Sequence, residues 1–422
     1  MSDIKIMPSV LNGTVSMPPS KSAAHRAILC AALAEGISVL HPIALSNDIA
    51  ATIECVKALG TTVTLNGDTL TVDGRTTFRS QKAELDCGES GSTLRFMIPI
   101  AAVGGVQARF VGHGRLPQRP IGIYLDCLPK AGVQCHTEGG LPLEIDGTLQ
   151  GGTFEIAGNI SSQFITGLLL ALPLAKTDSR IILTSPLQSS GYIDMTIDTM
   201  KNFGVHITEE ENGWTIKGQQ HYQPQDYPIE GDWSQAAFFL AAAAFGGNIV
   251  IDNMNFNSKQ GDKACADLFA QFGCQIQREN GLLKACGDKL NGIEINAENI
   301  PDLVPILACT AALCSGTTTI TGAARLRIKE SDRLSAVTQN LTALGADVTE
   351  LPDGLIINGK PQLHGGSVSG FNDHRIVMAF AMTALKTNEP VIISDRESIN
   401  KSYPNFFEDY TNLGGNAHVI MG

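Results

Sequence analysis

The sequence predicts an α/β protein of two domains, each holding three copies of one unit in which sheets surround a helical core. Two observations predict it. Glycines that close amphipathic helices fall at Gly60, Gly132, Gly204, Gly273, Gly345 and Gly414, so one pattern returns about every 70 residues along the 422-residue chain, as repeat architectures do. Between these glycines lie helices that are apolar on every side, which cannot lie on a surface and must be enclosed by other elements. Six such units exceed a single core, and two groups of three are the simplest division.

The first unit opens with PPSKSAAHRAILCAALAEG (18–36), where Ser20 or Ser22 can cap a helix, Lys21 and Arg26 stand at its front, and Glu35-Gly36 end it. An amphipathic stripe of Ile49, Ile53 and Val56 then runs to Gly60, and VTLNGDTLTVDG reads as a hairpin turning at Asn66-Gly67. The second apolar helix, FMIPIAAV (96–103), is the weakest copy because Pro99 falls inside it. LLLALPLA (168–175) is the third, followed by the hairpin HITEEENGWTIKG. A Pro- and Gln-rich stretch, HYQPQDYPIEGD, places the crossover between domains near Tyr227 to Asp232. AAFFLAAAAF (236–245), VPILACTAALC (304–314) and IVMAFAMTAL (376–385) are the remaining apolar helices. The clearest amphipathic stripe is Leu334, Val337, Leu341 and Leu344, and the hairpin DVTELPDGLIING follows it.

Charged residues are 17% and hydrophobic ones 43%, an ordinary globular composition, with a formal net charge of −12. That balance argues against a nucleic-acid groove or an anionic membrane as partner. The 10 cysteines form no CxxC pair or metal-ligand spacing and read as buried thiols of a reducing compartment. No signal peptide or membrane span is expected, so the protein is placed in the cytoplasm, with no metal and no cofactor.

If the apolar helices of each domain point the same way, their polar fronts gather on one face. These fronts read SKSAAHR, ESGSTLR, SSQF, DWSQ, PDL and NDHR, and five hold a side chain able to cap. A second set of polar loops, GRLPQRPIG, LQSSGYID, RLRIKESDRL and SINKSYPNFF, follows the short strands. Lys21, Arg26, Arg95, Arg119, Lys329, Arg333, Arg375 and Lys401 recur across both sets, a density that favours a ligand with several anionic groups. Helix N-termini suit the same chemistry. Glu89, Asp302, Glu330 and His374 accompany them and allow proton transfer without a metal. Singly, each has a blander reading: Arg95 pairing with Asp86 or Glu89, Asp373 capping a helix, His374 a satisfied core histidine, Lys329-Glu330 a solvated charge run. Together these leave the periodic placement unexplained.

At these motifs the chain resembles the 5-enolpyruvylshikimate-3-phosphate synthases of the enolpyruvyltransferase family. The residues carrying the likeness are PPSKSAAHRAILCAALAEG, LDCGESGSTLRF, QRPIG, SSQFITGLLLALPLA, GYIDMTI, EGDWSQAAFFLAAAA, PDLVPILA, RIKESDRL, FNDHRIVMAFA and NKSYPNFFE, in family order over nearly the whole length. The resemblance implies a two-domain inside-out α/β barrel, each domain three βαβαββ repeats with buried central helices and outer mixed sheets. It implies domains at 1–18 plus 230–422 and at 19–229, with the active site in the cleft between them. The implied reaction transfers the enolpyruvyl group of phosphoenolpyruvate to the 5-hydroxyl of shikimate 3-phosphate, through a tetrahedral intermediate that expels phosphate. By resemblance, Lys21, Ser22, Arg26, Ser161, Ser162, Gln163, Ser189, Tyr192, Asp302, Arg325 and Lys329 hold shikimate 3-phosphate. Lys21, Gly91, Arg119, Gln163, Arg333, Arg375 and Lys401 hold phosphoenolpyruvate. Asp302 takes the hydroxyl proton, Glu330 with Lys21 nearby protonates the methylene carbon, and His374 joins the catalytic set. A monomer is expected, and a glyphosate target.

Three positions depart from the family pattern. Glu89 stands where asparagine is usual, Arg325 replaces an asparagine found in some members, and Gly191 replaces a proline before Tyr192. The first bears on phosphoenolpyruvate affinity and glyphosate sensitivity, although Gly91 fits a sensitive member. Three other readings compete. The sister enolpyruvyltransferase acting on UDP-N-acetylglucosamine typically carries a reactive cysteine in the loop matching Gly112 to Gln118, and GHGRLPQ has none. An inactive anion-binding relative would have no reason to keep Lys21, Asp302, Glu330, Arg375 and Lys401 together. A relative that cyclises RNA ends is at odds with the acidic balance.

Overall fold

All six periodic glycines take a positive φ, between 81° and 119°, which an L side chain adopts only with strain, so the period marks where each amphipathic helix must turn into its next strand. The computed structural model describes residues 2–420. Its helices are Lys21–Leu33 (α1), Asn47–Ala58 (α2), Gly91–Val103 (α3), Gly122–Cys127 (α4), Ser162–Ala171 (α5), Ser190–Asn202 (α6), Trp233–Ala244 (α7), Cys265–Phe272 (α8), Val304–Ala311 (α9), Arg333–Ala343 (α10), His374–Thr383 (α11) and Phe406–Asn412 (α12). The odd-numbered helices are the apolar ones, and α7, α9 and α11 are buried along their whole length. The even-numbered ones bury one face, as Leu334, Val337 and Leu341 do on α10.

The strands form six four-stranded mixed sheets. In the usual unit, the strand before an apolar helix runs parallel to the one after it, and a hairpin completes the sheet. Lys82–Asp86 thus pairs in parallel with Gln107–Val111, which is antiparallel to Leu143–Gly147, itself paired with Val133–His136. Two strands break the rule. Asn12–Ser16, before α1, pairs with Asn248–Asp252 after α7, and Asp226–Pro228, before α7, pairs with Ile37–His41 after α1. Asp3–Met7 lies between Val391–Ile393 and Asn416–Ile420, completing the sheet of the last repeat. The chain accordingly divides into a unit of Met1–Pro18 with Glu230–Gly422 and a unit of Pro19–Ile229. Each has its own apolar core, one built around α7, α9 and α11, the other around α1, α3 and α5. This is the inside-out arrangement, with helices inside and sheets outside. Among the described residues no helix is long and apolar enough to cross a membrane.

The prolines act differently from expectation. Pro173 ends α5 at Ala171 and passes the chain into a short 3-10 turn, so the helix expected over 168–175 starts earlier and stops sooner. Pro99, in contrast, lies inside an unbroken α3. It cannot donate to the Arg95 carbonyl four residues back, and the buried Tyr124 hydroxyl donates to that oxygen instead, at 2.7 Å. Gly167 of α5 makes room for the repair, since a Cβ there would collide with the Arg95 oxygen and the Tyr124 hydroxyl and lie 3.0 Å from the Pro99 Cγ.

Candidate active site

Five of the six apolar helices have a side-chain cap at the front. Ser20, Ser90, Ser161, Asp232 and Asp373 each accept from a backbone N–H of the first turn. α9 has none and is entered through the 3-10 turn Pro301–Leu303, which carries Asp302. The polar residues therefore stand at the fronts of the buried helices because those backbone donors need partners.

In the unit holding both chain ends, one cluster gathers around Asp302. Its Oδ1 accepts from Arg333 Nη1 at 2.9 Å and lies 3.6 Å from Lys329 Nζ, and its Oδ2 accepts from Arg375 Nη2 at 3.1 Å. Arg333 also donates to Glu330 Oε2 at 2.9 Å and, through Nε, to Asp373 Oδ2 at 2.8 Å. Burial alone would lower the Arg333 pKa, but Asp373, Glu330 and Asp302 together hold it above the ordinary value. Burial alone would raise Asp373, but Arg333 and then His374 hold it below the usual carboxylate range. Arg375 Nη2 further donates to Ser234 Oγ at 3.1 Å, and that hydroxyl donates to Asp232 at 2.6 Å. Lys401 Nζ donates to the Asn372 carbonyl at 2.6 Å, and His374 Nδ1 lies 3.8 Å from Asp373 Oδ1. Arg325 donates to the Glu298 carbonyl at 2.6 Å.

The other unit holds several smaller groupings. Arg26 is buried and spends its guanidinium on the Ser22 carbonyl at 2.7 Å, the Tyr192 carbonyl at 2.9 Å and Thr196 Oγ1 at 2.8 Å. It also stacks on the rings of Phe96 and Tyr192, and burial lowers its pKa to about 10, which leaves it charged at neutral pH. Gln163 accepts from Arg95 Nη1 at 2.5 Å and donates to Ser92 Oγ at 2.9 Å. The Arg119 guanidinium lies flat against Gly91, where a Cβ would come within 2.6 Å of its Cζ. Lys21 Nζ meets Asp48 Oδ2 at 2.7 Å. Ser161 caps α5 and Ser162 is its first residue, while Ser189 enters α6 at φ 59°. The Glu89 carboxylate is packed on Gly114 of the 112–118 loop, closer than any Cβ there would allow.

The structure thus joins Asp302, Lys329, Glu330, Arg333 and Arg375 in one cluster, and Ser22, Arg26 and Tyr192 in another. Arg95, read as a partner of Asp86 or Glu89, donates to Gln163 and to the Pro120 carbonyl. Sequence reasoning missed Asp48, Ser92, Thr196 and Ser234, and took Asp373 only as a cap. Asp48 gave a signal as an acid in the first turn of the amphipathic α2, and Ser92 and Ser234 lay within the polar fronts ESGSTLR and DWSQ. Among the described residues, no group of three or more His, Cys, Asp or Glu is placed to hold a metal ion.

Comparison with known proteins supplies a context for this geometry. The family model for EPSP synthase (3-phosphoshikimate 1-carboxyvinyltransferase) matches residues 6–410. A 3-phosphoshikimate 1-carboxyvinyltransferase of Clostridium novyi is 46% identical, covering 98% of both chains, and one of Clostridium acetobutylicum is 45% identical, covering 99% of both. The solved EPSP synthase of Acinetobacter baumannii superposes with a TM-score of 0.83 at 26% identity over 100% of both chains. The enolpyruvyl transferase NikO of Streptomyces tendae, at 17% identity, shares the fold with a TM-score of 0.80 over 100% of both chains.

Proposed function

This chain belongs to the EPSP synthase family, and on that premise we propose which of its side chains do the chemistry. The reaction is the transfer of the enolpyruvyl group of phosphoenolpyruvate to the 5-hydroxyl of shikimate 3-phosphate, with release of phosphate, in the shikimate pathway to chorismate. The observation that carries the residue roles is Asp302, whose carboxylate accepts from Arg333 and Arg375 while Arg333 also holds Glu330. Two acids and two guanidiniums in mutual contact suit a reaction that gains and loses protons beside a polyanion. An incoming phosphate or carboxylate can take over the guanidinium donors that Asp302 now uses, which frees a carboxylate lone pair for a hydroxyl proton.

In this reading Arg333, Arg375, Lys401, Lys21, Arg119, Gln163 and the backbone at Gly91 hold phosphoenolpyruvate. Ser22, Arg26, Ser161, Ser162, Gln163, Ser189, Tyr192 and Lys329, with Lys21, Asp302 and Arg325, hold shikimate 3-phosphate. Glu330 enters the step protonated, once a substrate anion has taken its place on Arg333, and gives that proton to the methylene carbon as the 5-hydroxyl oxygen bonds to the neighbouring carbon and Asp302 takes the hydroxyl proton. The tetrahedral product then loses a methyl proton back to Glu330, its carbon–oxygen bond to phosphate breaks, and the leaving phosphate takes the proton held by Asp302. Both acids end in their starting states. His374 acts on the Asp373 carboxylate and through it on Arg333.

The test is phosphate release from phosphoenolpyruvate with shikimate 3-phosphate, and separately with UDP-N-acetylglucosamine. Release is expected with the first acceptor only, and a fall of roughly 10²-fold or more in kcat for Glu330→Gln and Asp302→Ala. Undiminished turnover in both variants would overturn the acid–base assignment, and release with the nucleotide sugar would overturn the acceptor.

A further inference from the structure

A buried chain of hydrogen bonds runs through the Pro19–Ile229 unit and takes no part in the chemistry above. It starts at His25, one turn beyond Lys21 on α1. His25 Nδ1 lies 2.8 Å from Thr52 Oγ1, and Thr52 Oγ1 lies 2.7 Å from Thr93 Oγ1. Thr93 Oγ1 donates to Ser90 Oγ, the cap of α3, at 2.8 Å, and the Thr93 N–H donates to the same oxygen at 3.2 Å. Thr93 Oγ1 is also 3.4 Å from the Asp48 carbonyl, and the Asp48 carboxylate is the partner of Lys21. His25, Asp48, Thr52, Ser90 and Thr93 are all buried.

The direction of this chain follows by proton counting. Thr93 has one hydroxyl proton and uses it on Ser90, so Thr52 must donate to Thr93. Thr52 has then used its own proton, so the bond to His25 must come from the ring. His25 Nε2 has no hydrogen-bond partner. Placed on Nε2, the ring proton would be an orphaned buried donor, whereas on Nδ1 it is used and only an acceptor goes unmatched. The ring of Phe96 stands nearly perpendicular to the imidazole, with centroids 6.3 Å apart. Burial, and then Lys21 and Arg26, lower the His25 pKa well below 6.5, which agrees with a neutral ring.

We propose that His25 is a positioning residue, held as the neutral Nδ1–H tautomer, whose donor chain through Thr52 and Thr93 to Ser90 ties the front of α1, with Lys21, to the front of α3, with Gly91. It rests on the reading of Lys21 and Gly91 as phosphoenolpyruvate contacts. The hydroxyl chain fixes two segments of distant sequence by bonds that are each directional, and reversing it would strand the ring proton.

The test uses the full chain labelled with 15N in its histidine rings, the His25 signals being assigned by their loss in His25→Asn. The ring-nitrogen shifts should report a neutral Nδ1–H tautomer. Asparagine places an amide N–H where Nδ1 stands, whereas glutamine places its amide nearer Nε2. His25→Asn should therefore keep the KM for phosphoenolpyruvate within about twofold, while His25→Gln and Thr93→Val raise it roughly three- to tenfold with kcat little changed, the worth of one buried hydrogen bond. A neutral Nε2–H ring, an imidazolium, or equal effects of asparagine and glutamine would overturn the proposal. If the wild type releases no phosphate with shikimate 3-phosphate, the reaction assignment fails instead. The ring shifts need neither substrate nor variant turnover, and they still decide the tautomer.

Discussion

Replacing Asp373 by asparagine should separate the charge of the Arg333 cluster from its shape. Asp373 is fully buried and accepts four hydrogen bonds: from Arg333 Nε, Arg333 Nη2, Ser331 Oγ and the Arg375 backbone N–H. Asparagine can keep the cap and one side-chain bond, but it removes the anion that faces a buried guanidinium. Breaking a buried pair costs about 3–5 kcal/mol, and because Asp302 and Glu330 still face Arg333 the low end, ~3 kcal/mol, applies here. For the roughly 210 residues of this unit, an unfolding entropy of about 2.1 cal/mol/K per residue gives a fall in Tm of about 7 °C. The pH dependence has a definite sign. The folded-state pKa of Asp373 lies below its ordinary 3.8, so its ionic contribution is complete above that value and is lost as pH falls through the lower folded one. The gap in Tm between wild type and Asp373→Asn should therefore be constant from neutral pH down to about 4 and narrow below it. Calorimetry across that range, with phosphate-release kinetics at neutral pH, makes the check. An unchanged Tm at neutral pH, or a gap that persists undiminished into strong acid, would refute the electrostatic account. A higher KM for phosphoenolpyruvate should accompany the loss, because Arg333 is then held by two acids instead of three.

Other perturbations test other parts of the molecule. Tyr124→Phe leaves the Arg95 carbonyl without a donor and should cost about 1–3 kcal/mol in thermal or urea unfolding; restoring the helical N–H with Pro99→Ala should make the same change nearly neutral, and additive costs would show that the hydroxyl is not what repairs α3. Gly114→Ala drives a Cβ into the Glu89 carboxylate at a backbone φ of 57°, so the 112–118 loop must shift; the KM for phosphoenolpyruvate should rise, and rise less in a Glu89→Ala background. Arg26→Lys replaces three differently directed donors and two ring contacts by one ammonium, and should raise the KM for shikimate 3-phosphate by roughly tenfold or more while that for phosphoenolpyruvate moves little. Glyphosate inhibition compared between wild type and Glu89→Asn tests whether Glu89 affects the phosphoenolpyruvate site; equal inhibition would remove it from that role.

What the residues disclose and what they conceal divides along a physical line. Features set by a residue's own backbone or by local periodicity were readable. The six glycines turn at positive φ, the apolar helices are enclosed, and a Ser or Asp caps the front of five of the six apolar helices, α9 with Asp302 being the exception. Features set by a partner distant in sequence were not. Nothing near Pro99 announces that Tyr124 will serve the carbonyl that proline abandons, so α3 looked weak and is whole. The parallel partners of Asn12–Ser16 and Asp226–Pro228 lie more than a hundred residues away, and no periodicity reveals such an exchange. The same limit holds at the site. The density of cations at the helix fronts pointed to a polyanion, but it could not say that Arg333 binds three acids at once or that Asp48 faces Lys21. On the proposed roles those acids fill the anion places of the protein alone: a guanidinium already matched by Asp302 can exchange that carboxylate for a substrate's charge with little change in its own surroundings. If Asp302 is the base, as proposed, binding and freeing of the base become one event, and that coupling is a property of the cluster which no single residue in the chain displays.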